Sequence, residues 1–147
     1  MGFFNSMNIS ASGLTAQRLR MDVISQNIAN VDTTRTENGT PYKKKTILFQ
    51  ERGGGHSFSG VLNDAVGKSI SGNGVRATRI VEDNSPGSQV YEPSHPDADE
   101  NGYVMKPNVN IVEEMVNMIS ATRSYEANVT AMNSTKSMIA KTLELGR

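Results

Sequence analysis

Residues 25–36 read SQNIANVDTTRT, and they mark the point where a helix gives way to a different kind of structure. Upstream, apolar residues recur at heptad spacing: Met7, Leu14, Met21 and Ile28 form one row, with Ala11, Ile24 and Val31 beside it. Such a row is one face of a helix, predicted over residues 1–31. No glycine or proline stops it. Asn30 is expected to do so by taking up the left-handed conformation, with Asp32 and the following threonines bonding their own backbone.

A second row on the same helix, Ile9, Ala16, Leu19 and Val23, falls on nearly the opposite side. A surface helix needs one apolar face. Among the first 31 residues only Arg18, Arg20 and Asp22 are charged, so no side of the helix is dressed for water. One face can pair within the chain, and the other then calls for a partner the chain does not supply.

Punctuation divides the rest. All five prolines and ten of the thirteen glycines lie between residues 32 and 108, and seven of the eight methionines lie outside that window. The flanks are therefore helical and the middle is made of short strands and turns. The second helix, over residues 111–145, opens on a capping box of Asn110 and Glu113, with Glu113 and Glu114 at the end of the helix dipole that favours anions. Ile111, Met115, Met118, Tyr125, Val129, Met132, Ile139 and Leu143 follow at alternating three and four spacing, broken by Thr122 and Lys136. A helix of that length extends about 50 Å, longer than a domain of this size is wide, so part of it projects or meets other chains. Strands are predicted at Tyr42–Phe49, Val75–Val81, Ser88–Tyr91 and Tyr103–Met105, with turns at Asn73-Gly74 and Pro86-Gly87. Residues 50–60, QERGGGHSFSG, read as a mobile loop. The fold class is α+β: long terminal helices packed as an antiparallel coiled-coil core domain, with an inserted small β-rich domain. The expected divisions are 1–31, 32–108 and 109–147.

Composition excludes more than it identifies. Fifteen basic and fifteen acidic residues cancel, leaving no global field for nucleic acid or an anionic membrane. Cysteine is absent, which removes disulfides and thiolate chemistry. The N-terminus lacks the basic and apolar regions of a Sec signal, and no apolar run is long enough to span a membrane. Asp97, Asp99, Asn101 and Gly102 match the first half of an EF-hand loop, but the twelfth position is Asn108, so an Asx-rich turn is expected instead of a metal site. His56 and His95 stand without a nucleophile or a second ligand at helical spacing. Lys43, Lys44 and Lys45 suit the protection of an exposed strand edge. Neither catalysis nor a cofactor is expected. A glycan-cleaving enzyme would need paired carboxylates in a cleft, whereas the acids here cluster in turns and at a helix start.

Three stretches carry a resemblance: SQNIANVDT, then YEPSHPDADENGYVMKPNVNIVEEM, then SYEANVTAMNSTKSMIAKTLELG. Together they resemble the flagellar rod and hook family, and within it the proximal-rod subgroup. The family signature falls on Asn27, Asn30, Thr33 and Tyr42, the tyrosine arriving later than in the broader pattern Thr-x-Gly-Tyr because TRTENGTPY intervenes. The resemblance implies a structural subunit that polymerises into a helical tubular driveshaft and transmits torque, in the periplasmic rod of the basal body. It implies passage through the flagellar type III export apparatus, and partners that are copies of itself and rod subunits of the FlgB, FlgF, FlgG and FliE types. Met7, Leu14, Met21, Ile24, Ile28, Met115, Met118, Val129, Met132 and Ile139 are the expected subunit-packing residues. The competing reading is a coiled-coil adaptor or scaffold outside the flagellum.

Overall fold

The computed structural model describes residues 3–52 and 72–146. Helix α1 runs Phe3–Ala29, strands β1 to β4 follow at Lys45–Glu51, Val75–Glu82, Ser88–Tyr91 and Tyr103–Lys106, and helix α2 runs Ile111–Leu145. Among the described residues this is the α+β arrangement expected, with two long terminal helices and two small two-stranded sheets. Most of the predicted 50–60 loop, His56 included, lies outside the described residues; Gln50 and Glu51 belong to β1.

The chain divides into two compact units, and both helices run through both. One unit comprises the described parts of Met1–Leu19, Phe49–Thr78 and Thr122–Arg147; the other comprises Arg20–Leu48 and Arg79–Ala121. In the first, α1 meets α2 at Gly13, where a Cβ would lie 3.0 Å from the Asn128 carboxamide oxygen. In the second, the helices meet at Asn27 and Glu114. The two meeting points are fourteen residues apart on each helix and in opposite senses, so the helices are antiparallel and the spacing is two heptads.

The second unit holds the denser apolar core: Val23 and Ile24 from α1, Ile47 from β1, Val104 from β4 and Ala121 from α2 are all buried. Each full-sized aliphatic in that set contributes about 1.5–3 kcal/mol by leaving water. In the first unit the buried described residues are smaller or polar, namely Ser12, Ala16 and Thr135. The Ser12 hydroxyl donates to the Ile9 carbonyl and accepts from the Val75 amide, which ties the start of β2 to α1.

Strand β1 pairs with β2. The Arg52 amide donates to Gly74 and the Asp83 amide to Lys44, so the start of each strand lies beside the end of the other and the pair is antiparallel. Strands β3 and β4 are antiparallel in the register Val90 to Val104 and Tyr91 to Tyr103. Val104 is buried while Tyr91 and Tyr103 meet edge to face on the exposed side, 5.3 Å between centroids. Glu92 and Lys106 brace the hairpin at 2.9 Å.

Two local expectations are corrected. Among the described residues no residue other than glycine has positive φ, so Asn30 does not end α1 in the left-handed conformation. The helix unwinds through tighter turns instead: Val31 bonds to Ile28 and Thr33 to Asn30, while the Asn30 side chain donates back to the Gln26 carbonyl at 2.8 Å. The capping box is half made. Asn110 Oδ1 caps Val112 and Glu113, but the Glu113 carboxylate turns outward to Lys44.

Candidate functional site

Asn27 sits in the last turn of α1 and is 1% exposed. A primary amide offers two donor hydrogens and two acceptor lone pairs, and all four are matched here. Its Nδ2 donates to the Lys45 carbonyl at 2.8 Å and to Glu114 Oε2 at 2.9 Å. Its Oδ1 accepts from the Lys45 amide at 2.9 Å and from the Tyr42 hydroxyl at 3.0 Å. The pair of bonds to Lys45 copies what a neighbouring strand would make, so a helix side chain closes the free edge of β1 at its first residue. Only one orientation of the amide satisfies a backbone donor and a backbone acceptor together.

Glu114 is likewise 1% exposed, and its charge is answered from three sides. Besides the Asn27 bond, Oε1 takes the Lys44 ammonium at 3.1 Å and the Asn117 amide at 3.3 Å. Lys44 also reaches Glu113 at 3.1 Å. Burial works against the Lys44 ammonium, but hydrogen bonds to Glu114 and Glu113 and the charges of both outweigh it, and the pKa stands above the ordinary lysine value. The Tyr42 phenol is pushed up too, first by burial and then by the charges of Glu82 and Glu114. Lys44 is fixed from its backbone side as well: its amide donates to Asn108 Oδ1 at 2.8 Å and its carbonyl accepts from Asp83.

Edge protection therefore does not describe the lysine run. Lys44 is inside an ion cluster, Lys43 bonds Asn84, and the Lys45 ammonium lies 5.7 Å from the centre of the Tyr42 ring. The early strand start expected at Tyr42 fails for the same reason, since residues 42–44 are drawn into side-chain contacts and β1 begins at Lys45.

The four signature residues come together in this one place. Thr33 donates its hydroxyl to Asn30 Oδ1 and receives the Tyr42 amide on its carbonyl, and Tyr42 then reaches Asn27. Sequence reasoning missed Lys44, Asn108 and the burial of Glu114. The one available signal was a pair of adjacent glutamates at a helix start, which the dipole already explained.

The expected packing residues are distributed differently. Ile24 is buried inside the chain; Met7, Leu14, Met21, Ile28, Met118, Val129, Met132 and Ile139 are half-buried; Met115 is exposed. Beside Met115 on α2 stand Ile111, Val112, Val116 and Ile119, the five of them between 45% and 70% exposed. Their spacing makes one stripe that starts at Ile111, beside Glu114, passes Met115 on the flank and reaches Val112, Val116 and Ile119 on the side turned away from Glu114. The turn at the end of residues 97–102 is closed by main-chain atoms, the Gly102 amide donating to the Asp99 carbonyl, while the Asp97 side chain receives the Thr34 hydroxyl at 2.8 Å and faces Arg35 at 3.7 Å. Among the described residues no group of three His, Asp or Glu is placed to hold a metal, and no helix is long and apolar enough to cross a membrane.

Comparison with known proteins gives this arrangement a context. The family model described as flagella basal body rod protein matches residues 7–35, and that described as flagellar basal body rod FlgEFG protein C-terminal matches residues 100–145. The flagellar basal-body rod protein FlgC of Bacillus subtilis (strain 168) is 53% identical over 152 residues, covering 100% of both chains. The chain belongs to the FlgC family of flagellar basal-body rod proteins. FlgC of Borreliella burgdorferi is 51% identical over 99% of this chain and 98% of its own, and that of Salmonella typhimurium is 42% identical over 100% of both. The FlgC family consists of structural subunits of the flagellar basal body and not of enzymes. Its two matched segments supply Asn27 and Glu114 respectively, while Tyr42 and Lys44 come from the stretch between them.

Proposed function

We propose that the chain polymerises into a helical tubular rod that transmits torque, through contacts with copies of itself and with rod subunits of the FlgB, FlgF, FlgG and FliE types. The observation that carries this reading is the exposed stripe of Ile111, Val112, Met115, Val116 and Ile119. Covering the exposed half of each side chain contributes about 1 kcal/mol, hence about 5 kcal/mol per stripe, repeated at every subunit of a tube. In a tube of one repeated subunit each patch meets a different patch on its neighbour, so a stripe without a matching stripe opposite is what heterologous packing needs. The half-buried rows of Met7, Leu14, Met21 and Ile28, and of Met118, Val129, Met132 and Ile139, would add to the same contacts, and residues 32–108 would face outward from the helical layer.

Torque transfer needs a helix and its adjoining strand to move as one body. The saturated Asn27 amide supports that, because bending the joint breaks together the three of its hydrogen bonds that reach Tyr42 and Lys45. Delivery through the flagellar type III export apparatus belongs to the same reading. The experiment is Met115→Asp in a motile host. Loss of swimming and of rods in isolated basal bodies, with normal accumulation of the protein, is expected; normal motility would remove the stripe from the interface.

A further inference from the structure

We propose that Asn27, Glu114 and Lys44 form a register lock, which lets α2 dock on α1 in one alignment because only that alignment places the buried Glu114 carboxylate between the Asn27 amide and the Lys44 ammonium. The apolar seam does not make this choice. Along α2 the residues at Glu114's heptad position are Ala121, Asn128 and Thr135, and a one-heptad slip exchanges small side chains for small side chains. The same slip brings Ala121 opposite Asn27. The amide then faces a methyl group, Glu114 loses its Asn27 bond, and Lys44 loses both carboxylates. Discrimination between the alignments therefore sits in the polar cluster, where unpaired buried groups are penalised. Because Lys44 is held by Asn108 and by the β2 end at Asp83, the lock also makes helix docking conditional on the strand that follows the joint.

The chain has no cysteine, so alignment can be read by disulfide capture in the purified full-length protein. A Cβ at Gly13 would stand 3.1 Å from Asn128 Cγ, within reach of a disulfide from Gly13→Cys to Asn128→Cys. Gly13→Cys with Thr135→Cys, in an Asn128→Ala background that clears room for the new Cβ, reports the slipped alignment. With the lock intact, the 13–128 pair is expected to close at least about tenfold more than the 13–135 pair. In Lys44→Met/Glu114→Met, where both charges become apolar groups, helical circular dichroism is expected to persist while the preference falls below about threefold. A preference kept at its original value in the double variant would overturn the proposal. Loss of helical signal there would do so too, since the cluster would then supply stability and not alignment. So would failure of the 13–128 pair to close in the parent, because the lock consists of residues of one chain.

Discussion

Asn27→Asp changes one atom and inverts half of the joint. The substituted side chain still accepts from the Lys45 amide and the Tyr42 hydroxyl, but its second oxygen replaces a donor that sat 2.8 Å from the Lys45 carbonyl and 2.9 Å from a Glu114 oxygen. Two favourable bonds become two repulsions, one of them between carboxylates in a site that is 1% exposed. Losing a hydrogen bond to a buried charged acceptor costs about 1.5–3 kcal/mol, and orphaning a part-buried carbonyl adds about 1 kcal/mol. The repulsion comes on top, so a loss of about 4–5 kcal/mol is expected at neutral pH. For a chain of this size that lowers the thermal midpoint by about 10–15 °C. Asn27→Ala adds no charge but removes all four bonds, so by the same magnitudes it should lose a similar amount, about 4–6 kcal/mol, with no carboxyl to titrate. The assay is thermal unfolding of the full chain by far-UV circular dichroism at pH 7 and again near pH 5, where protonation of the new carboxyl, favoured by the carboxylate it faces, should recover part of the deficit for Asp but not for Ala. A deficit under about 1 kcal/mol for either variant at pH 7, or the same response of both to the lower pH, would show that the four-bond network does not govern the joint.

Alkaline pH tests the same cluster from another side. The folded chain keeps the Lys44 and Tyr42 protons above the ordinary values of 10.5 and 10.0. The unfolded chain releases them first, so their contribution is complete below about pH 10 and is lost as pH rises through the folded values. Tyr42→Phe combined with Lys44→Met should flatten that alkaline limb of a stability profile measured by urea unfolding. Gly74, with φ of +91°, backs onto α1, where a Cβ would run into the Ser12 hydroxyl and lie 3.3 Å from Ile9 Cα; Gly74→Ala should cost about 2 kcal/mol or more. Gly39 has φ of +73° and open space around it, so Gly39→Ala should cost only the backbone penalty of about 1 kcal/mol, and matched melts of the two variants separate crowding from conformation.

What the sequence shows about this fold follows from how far its signals reach. Helix α2 is legible at both ends because Asn110 caps it locally and no proline interrupts it, and β3 is legible because Pro86-Gly87 turns the chain just before it. The joint is not legible, because its partners lie far apart: Asn27 and Glu114 are 87 residues from each other. In KKK the middle lysine looks like its neighbours until residues 113 and 114 arrive beside it. The seam has a further cause of its own. Hydrophobic periodicity reports that a face is covered, but not by what. On α2 the strongest apolar positions, Val112, Met115, Val116 and Ile119, face outward, while the positions turned inward include a glutamate, an alanine and a threonine. If neighbouring subunits cover the outer stripe, as proposed, the division is a physical necessity. Large apolar side chains can associate with several surfaces, which suits packing against non-identical neighbours. A buried carboxylate tolerates very few, which suits an internal contact that must form in one way. On that reading the greasy stripe of α2 marks where other chains bind, while its alignment on α1 is fixed by polar residues that a hydrophobicity pattern passes over.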